Sequence, residues 1–284
     1  YTTLFRSRQV SFILASALLL IGTVISCNKS DRDEDLETLA ARDYALAHHI
    51  FDDAFREVHR FAMRDSLLND TGLIIWFDDC IYRATLDDTV AVFPINLTLN
   101  WSDDGIQCHD GFYRYGIINA EFTGKYLNKG TTATITFDGY RKDKYDVSGT
   151  VYITNLGLNA DAKRQYRMTI EDGLVTGTNI EIEMNGEYVM VWSDGSSTDS
   201  AIDDDVFLIS GLSYGENSRG STFTDEITTR YTNKLACQWF VSGRSEMNIQ
   251  NLNTRYLNYG DIDSCDNRLL SRRNNTYFKI EVPY

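Results

Sequence analysis

Residues 180–192, IEIEMNGEYVMVW, are the clearest indication of the fold class. Apolar and polar residues alternate on both sides of Asn185-Gly186, and a period of two is typical of a β-strand with one buried face. Asn-Gly favours a two-residue type I′ turn, in which both residues need a positive φ. The stretch therefore predicts an antiparallel hairpin in which Ile182 lies opposite Val189.

The same alternation recurs on both sides of this stretch. Strand-like runs occupy residues 95–101, 132–137 and 147–153. Asp-Gly pairs, which favour turns, occur at 104–105, 110–111, 138–139, 172–173 and 194–195. With only two prolines in the chain, sheet ladders are rarely interrupted. The pattern predicts a mainly β fold over 73–284, an antiparallel multi-stranded sheet arranged as a sandwich or as an extended meander.

One N-terminal amphipathic helix is predicted within residues 36–70. Apolar residues recur at spacings of three and four, at Leu36, Leu39, Ala40, Ala47, Ile50, Phe51, Ala54, Phe55, Val58, Phe61 and Ala62. The opposite face carries charged residues, namely Arg42, Asp53, Arg56, Glu57 and Arg60. Turn residues at 69–72 end the helix. We expect its apolar stripe to pack on a face of the sheet.

The N-terminus has the pattern of an export signal. Arg6 and Arg8 precede an uncharged, apolar run over 9–26, as in a signal peptide. Its ending, Val24-Ile25-Ser26-Cys27, resembles the lipobox of bacterial lipoproteins, which implies cleavage after 1–26 and a lipid on Cys27. Two or three acyl chains anchor a protein firmly. The alternative is an uncleaved membrane anchor, because about 18 apolar residues can span a bilayer.

Residues 27–35 are predicted to form a solvated acidic tether. Such a run after a lipidated cysteine resembles the surface-export signal of Bacteroidota lipoproteins, although a plain linker has the same composition. The expected location is the outer membrane, at the periplasmic face or, preferably, the cell surface. Cleavage before Cys27 changes the formal net charge from −14 to −16. This charge argues against a nucleic-acid partner.

The remaining four cysteines predict two disulfides, because an exported protein folds in an oxidising compartment. Three pairings are open. The local one, Cys80–Cys108 and Cys237–Cys265, closes two loops of equal sequence separation, each holding two strand-like runs. We interpret each loop as a disulfide-closed hairpin. The chain contains no CxxC and no Cys/His cluster, so structural zinc is not expected.

The chain from Cys80 onward resembles an uncharacterised, β-rich family of Bacteroidota lipoproteins. The resemblance rests on 110–117 with 122–126, on 134–140 with 147–150 and 154–155, and on 237–243 with 259–261 and 265–267; the N-terminal helix is also similar. One departure is Lys142-Asp143-Lys144, where the family has a turn like Val-Asn-Gly. The resemblance implies fold and location and supplies no catalytic residue.

The chemistry-bearing residues give few signals. The four histidines, His48, His49, His59 and His109, form no metal motif and are expected to be ordinary solvated or helix-face residues. No phosphate loop or nucleophile elbow occurs, and no cofactor or metal is predicted. The acidic positions where calcium would be sought are Asp203 to Asp205 and Asp261 with Asp263, although none fits a calcium loop.

The strongest enzymatic signal is Glu181 with Glu183. Two positions apart on a strand, they point to one face with Cα atoms roughly 6.6 Å apart, and the predicted hairpin adds Tyr188 and Trp192 to that face. Two carboxylates beside aromatic rings suit glycoside hydrolysis. An exposed strand face carrying glutamates for solubility has the same pattern.

The sequence as a whole predicts a lipid-anchored, non-enzymatic β domain that binds a ligand or builds surface structure. The membrane is its expected partner through the lipid, with a glycan or a surface protein as the candidate ligand. Aromatic side chains, including Tyr188 and Trp192, could stack on sugars. The alternative function is a glycosidase-like, carbohydrate-active enzyme using Glu181 and Glu183.

Overall fold

The computed structural model describes residues 37–65, 67–68, 80–81, 83–87, 92–198, 202–260 and 264–283. The predicted signal peptide, the lipidation site Cys27 and the acidic tether lie outside these residues. So do the turn at 69–72 and the aspartates 261 and 263.

The predicted helix is present as α1, Leu39–Arg64. Its sequence is rich in alanine and contains neither glycine nor proline, which favours an α-helix. It ends at Asp65, whose backbone is extended and whose carboxylate accepts hydrogen bonds from the N–H groups of Leu67 and Leu68. Within the described part of the chain, no helix is both long enough and apolar enough to cross a membrane.

In the part of the chain that the structure describes, fourteen strands form one sheet. In chain order they are β1 Arg83–Leu86, β2 Ile95–Asn100, β3 Ile106–Gln107, β4 Tyr113–Phe122, β5 Thr132–Lys142, β6 Tyr145–Leu158, β7 Arg164–Gly177, β8 Ile180–Asp194, β9 Val206–Glu216, β10 Thr222–Lys234, β11 Ser242–Ile249, β12 Arg255–Asn258, β13 Arg268–Arg273 and β14 Thr276–Glu281. A short 3₁₀ helix, Ile202–Asp204, follows β8.

The sheet is an antiparallel meander. Each strand pairs with the next along the chain, except that β2 pairs directly with β4 and β3 pairs with β4 off the main path. The mainly β, antiparallel prediction is confirmed, and of the two arrangements left open the structure has the single extended sheet. Alternate residues of the long strands face the core, as the period of two predicts.

The predicted hairpin at Asn185-Gly186 is wrong. These residues lie in the middle of β8, which runs without a break from Ile180 to Asp194. The chain reverses instead between β7 and β8, where Asn179 has a φ of +58°. Neither Asn185 nor Gly186 has the positive φ that a type I′ turn needs.

Gly186 has a packing role rather than a turn role. A Cβ at this position would lie 2.9 Å from the ring of Tyr188 and 3.1 Å from the Cβ of Ser213 on the neighbouring strand. Glycine in a strand often marks such a close approach. An Asn-Gly pair between alternating runs can therefore be part of a strand when a bulky ring covers the glycine.

The sheet curves around α1. Phe51 packs against Phe137 of β5 with ring centroids 6.2 Å apart, and Phe55 packs against Phe207 of β9 at 5.2 Å. Three strands separate β5 from β9 in the sheet, so one face of the helix contacts strands that are far apart in the sheet, and most residues on the other faces of the helix are buried as well. Full burial of one such ring stabilises the fold by about 1.5–3 kcal/mol.

The charged face of α1 is buried, contrary to the expectation that only the apolar stripe would pack. Asp53 and Arg56 are 5% exposed and Glu57 is 7% exposed. The sequence pattern correctly identifies the helix and its two faces. It does not show that the sheet closes over both of them, so the charged face must find partners inside the protein.

Both predicted disulfides are confirmed. Cys80 pairs with Cys108 and Cys237 pairs with Cys265, each with a sequence separation of 28. The first loop contains β1 and β2, which pair as a hairpin, and the second contains the hairpin of β11 and β12. Closing loops of this length stabilises a fold by about 2–4 kcal/mol each.

Candidate ligand-binding cleft

The structure separates the residues of the glycosidase-like prediction. Glu181 and Glu183 lie on the exposed face of β8, whereas Tyr188 and Trp192 are buried on its other face. The ring of Tyr188 stacks on His48 with centroids 4.6 Å apart. The two carboxylates therefore face solvent on the opposite side of the sheet from the two rings. This separation follows from the continuous strand that replaces the predicted hairpin.

The histidines of α1 are buried, which corrects the expectation of solvated residues and agrees with the helix-face alternative. His48 and His59 are fully buried and His49 is 5% exposed, whereas His109 is exposed. Burial lowers the pKa of His48 to about 3. It also lowers the pKa of His59, although His59 Nε2 lies 3.1 Å from Asp205 Oδ2. At neutral pH these rings are uncharged packing groups.

Asp203 to Asp205 do not converge on one point. Asp203 is 77% exposed in its side chain and approaches Arg60 at 3.7 Å. Asp204 accepts a hydrogen bond from Thr198, and the buried Asp205 accepts one from Trp192 Nε1 at 2.9 Å. Among the residues that the structure describes, no group of three or more His, Cys, Asp or Glu side chains is placed to hold a metal ion.

A buried ionic cluster joins α1 to the sheet at Asp53. Arg114 of β4 donates from Nε and Nη2 to the two oxygens of the Asp53 carboxylate, at 3.2 and 2.7 Å. Lys142 of β5 approaches Asp53 Oδ1 at 2.8 Å. The side chains of Arg114 and Lys142 are 1% and 2% exposed. A two-pronged arginine–carboxylate pair fixes geometry as well as charge.

This cluster sets the charge of its members. Burial alone would raise the pKa of Asp53, but the charges of Arg114 and Lys142 outweigh it and hold that pKa well below its usual range. Burial lowers the pKa of Lys142, against the pull of Asp53. Asp53 is therefore a carboxylate over the whole physiological pH range.

A second cluster ties α1 to the C-terminal disulfide loop. Arg56 donates from Nε to Asp52 Oδ2 at 2.7 Å, and also to the Asn233 side-chain oxygen and the Cys237 carbonyl. The Asn233 amide in turn donates to Asp52 Oδ1 at 2.7 Å. Each polar atom in this chain of contacts thus has a partner inside the protein, as buried charges require.

The Asp53 cluster opens onto a cleft of about 390 Å³. Its floor carries Glu57, whose Oε1 lies 3.6 Å from Arg114 Nη2, and Asp110, which accepts a hydrogen bond from the same Nη2 at 2.6 Å. The disulfide Cys80–Cys108 lines one side, and the mouth has Arg60 and Asp203. The volume lies at the lower end of small-molecule sites.

The cleft offers both hydrogen-bond donors and acceptors. Burial raises the pKa of Glu57, although the charges of Arg114 and Arg60 act in the opposite direction, and the guanidinium of Arg60 at the mouth supplies N–H donors. Asp110, with 23% of its side chain exposed, presents acceptor oxygens. The cleft therefore combines donors and acceptors in fixed positions, which suits a small ligand rich in hydroxyl groups.

Sequence reasoning missed Arg114 and Lys142 as members of a site. One signal was available for Arg114. Arg114 lies on β4, and the period of two places it on the same buried face as Ile118, Ala120 and Phe122. A charge at this position must therefore have a buried partner. For Lys142 the alternation could not be used, because the pairing of β5 with β6 shifts its register between Thr136 and Arg141. Counting in steps of two from the start of β5 therefore does not place Lys142 on the buried face.

Comparison with known proteins finds no match to a protein-family model, to a curated protein or to a solved structure.

Proposed function

We propose that this chain is a lipid-anchored, extracytoplasmic β domain that binds a glycan without turning it over. It would be held in the outer membrane through Cys27, at the periplasmic face or, preferably, at the cell surface. The observation that carries the binding part is the cleft, in which polar groups are fixed by Arg114 at the end of a buried ionic cluster.

The two disulfides support an extracytoplasmic location. Structural disulfides persist in oxidising compartments and are rare in reducing ones. They agree with an export signal that ends in Cys27, and with the resemblance of the lipobox to those of bacterial lipoproteins. A lipid on Cys27 would leave the other four cysteines paired with one another.

The pairing of the cleft's charges supports binding rather than turnover. Arg114 contacts Asp53, Asp110 and Glu57 together, so these carboxylates are engaged before any ligand arrives. A general acid–base pair needs groups that exchange protons with the substrate. Fixed ion pairs instead provide a pre-organised polar surface, which lowers the entropic cost of binding.

A glycan-array screen of residues 36–284, with both disulfides formed, tests the binding function. We expect saturable binding to one glycan class, weakened at least tenfold by Arg60→Ala at the cleft mouth. The matched control is Arg167→Ala, an exposed arginine that lies 3.7 Å from Glu187 on the outer face. Absence of binding to every glycan contradicts the proposal, and hydrolysis of a bound glycan supports the enzymatic alternative.

Lipid attachment is tested separately. Metabolic labelling with palmitate in a bacterial host should label the wild-type chain and place it in the membrane fraction, and Cys27→Ala should abolish both. A Cys27→Ala variant that stays in the membrane fraction would indicate the uncleaved anchor instead.

A further inference from the structure

The outer face of the last three strands carries a row of two tyrosines and one arginine. Tyr256 of β12 lies directly opposite Arg272 of β13, and Arg272 lies directly opposite Tyr277 of β14. In the adjacent row, Leu270 lies opposite Lys279. We call these five residues the C-terminal patch. Directly opposed residues on one sheet face have Cβ atoms about 4.5–5.5 Å apart, so the patch is continuous.

The patch exposes apolar surface that the rest of the fold buries. Tyr277 is 64% exposed, Tyr256 is 40% exposed and Leu270 is 37% exposed. In contrast, Tyr188, Tyr231 and most other aromatic side chains lie in the core. Exposed aromatic rings next to polar groups are typical of recognition surfaces.

The two cations of the patch are available to a ligand. The guanidinium carbon of Arg272 lies 4.6 Å from the centre of the Tyr256 ring, which orients the arginine. Among the described residues, neither Arg272 nor Lys279 forms an ion pair, whereas the nearby Arg268 is paired with Glu281. The patch is thus locally positive in a chain with a formal net charge of −14.

We propose that the C-terminal patch binds an acidic sugar residue, with its carboxylate on Arg272 and its ring on Tyr277. The planar fork of an arginine matches a carboxylate, and a tyrosine ring offers a flat apolar face to the C–H groups of a sugar. Lys279 adds a second positive charge in the adjacent row. This inference rests on the proposed glycan-binding function and adds to the cleft a second, separate sugar site on the outer face of β12–β14.

The border of the patch limits how many negative charges a ligand can bring. Exposed charges act on one another only within about a Debye length, about 8 Å at physiological ionic strength, so the charges next to the patch decide. Glu246, opposite Tyr256 on β11, marks the acidic border of the patch. A single hexuronate or sialate at the end of a glycan satisfies Arg272 without placing further charges against that border.

A groove next to the patch has room for the following sugar. It has a volume of about 550 Å³ and shares Leu270 and Lys279 with the patch. Asn258, which lies opposite Leu270, also lines it and offers an amide for hydrogen bonds to hydroxyl groups. A glycan end bound on Arg272 and Tyr277 can therefore continue along the same face.

Isothermal titration of the full chain, with both disulfides formed, tests the patch. The ligands are 3′-sialyllactose and a glucuronate-terminated oligosaccharide, each compared with its neutral counterpart. We expect at least one acidic ligand to bind at least tenfold more tightly than its counterpart. Arg272→Gln and Tyr277→Ala should each weaken this binding at least tenfold. Tyr256→Phe, which keeps the ring beneath Arg272, should leave it unchanged.

Tyr214→Ala is the matched control, because Tyr214 is a 53%-exposed tyrosine on β9, away from β12–β14. It should bind as the wild type does, and all variants should keep the wild-type Tm. Equal binding of acidic and neutral ligands overturns the inference, and so does acidic binding that survives Arg272→Gln. If the array reveals another glycan and neither acidic ligand binds, the patch inference fails while the proposed function stands. If no glycan binds at all, both fail.

Discussion

Two buried carboxylates, Asp53 and Asp225, lie in opposite electrical environments in the same core. Asp53 contacts the cations Arg114 and Lys142 at 2.7 and 2.8 Å. Asp225, on β10, is 1% exposed and accepts a hydrogen bond from the hydroxyl of Ser245 at 2.7 Å. Their burial is similar, so the difference between them isolates the effect of the partners.

The partners decide the charge. Arg114 and Lys142 hold the pKa of Asp53 well below its usual range despite burial. Burial raises the pKa of Asp225 from 3.8 to about 7, and hydrogen bonding by Ser245 opposes the rise only in part. Asp53 is therefore a charged carboxylate at the edge of the cleft. Asp225 instead holds a proton up to a pH of about 7, in a core that is rich in hydroxyl groups. A buried acidic side chain is therefore not by itself a sign of a functional site.

The largest expected loss of stability follows from removing a partner of Asp53. Arg114→Met leaves Asp53 with Lys142 as its remaining buried cation and removes the partner of Asp110. Breaking a buried pair in this way costs about 3–5 kcal/mol, measured as the free energy of unfolding in urea. The control is Arg268→Met, whose pair with Glu281 is 68% exposed on both sides and is worth less than about 1 kcal/mol. Equal costs for the two variants would contradict a stabilising cluster.

The next largest effect is a pH dependence of the free energy of unfolding, which comes from the titration of Asp225. The folded protein holds a proton on Asp225 that the unfolded chain releases above its ordinary pKa of 3.8. The resulting stabilisation is complete below about pH 4 and is lost as the pH rises through 7. Over this window the wild type should lose roughly 2–4 kcal/mol relative to Asp225→Asn, which cannot titrate.

Unfolding of both proteins at several pH values measures this difference. Asp203→Asn, at an exposed aspartate, is the control and should keep the wild-type dependence. A constant difference between wild type and Asp225→Asn from pH 4 to 8 would show that the pKa of Asp225 is not raised.

A smaller effect is expected at the hydroxyl that contacts Asp225. Ser245→Ala removes a buried hydrogen bond and should cost about 1–3 kcal/mol. That bond favours the charged form of Asp225. Its loss should therefore raise the pKa of Asp225 and shift the pH dependence of the free energy of unfolding to higher pH. Ser242→Ala, at a half-buried serine of the same strand that contacts Thr232, is the comparison. An unshifted pH dependence in Ser245→Ala would break the link between the hydroxyl and the charge.

The smallest effect is expected at the exposed carboxylates. Glu181→Gln combined with Glu183→Gln changes two residues that face solvent on β8. Surface substitutions of this kind change stability by about 0.5 kcal/mol or less, and glycan binding should be unchanged. Loss of binding or of a hydrolytic activity in this double variant would restore these residues as candidates.

Local periodicity predicted most of the fold. The period of two in the strands, the spacing of three and four in α1 and the equal separations of the cysteines each depend on residues close in sequence. They correctly predicted the antiparallel sheet, the helix and the pairings Cys80–Cys108 and Cys237–Cys265.

Periodicity could not predict that the sheet covers the charged face of α1 as well as its apolar face. Whether the charged face of a helix meets water or a curved sheet depends on strands far away in sequence, such as β4 with Arg114. The predicted grouping of the β8 glutamates with Tyr188 was wrong for a similar reason. Asn185-Gly186 satisfies the local rule for a turn, but the ring of Tyr188 packs over Gly186 and the strand continues through it.

The most direct test of the contrast between the two carboxylates is a carbon-13 NMR titration of the aspartate carboxyl groups of the folded protein. We predict that Asp225 titrates with a midpoint near pH 7, while Asp53 shows the chemical shift of a carboxylate from pH 4 to pH 8. A common midpoint for the two residues, or an Asp225 that is fully ionised at pH 5, would contradict the claim that their partners set opposite charge states.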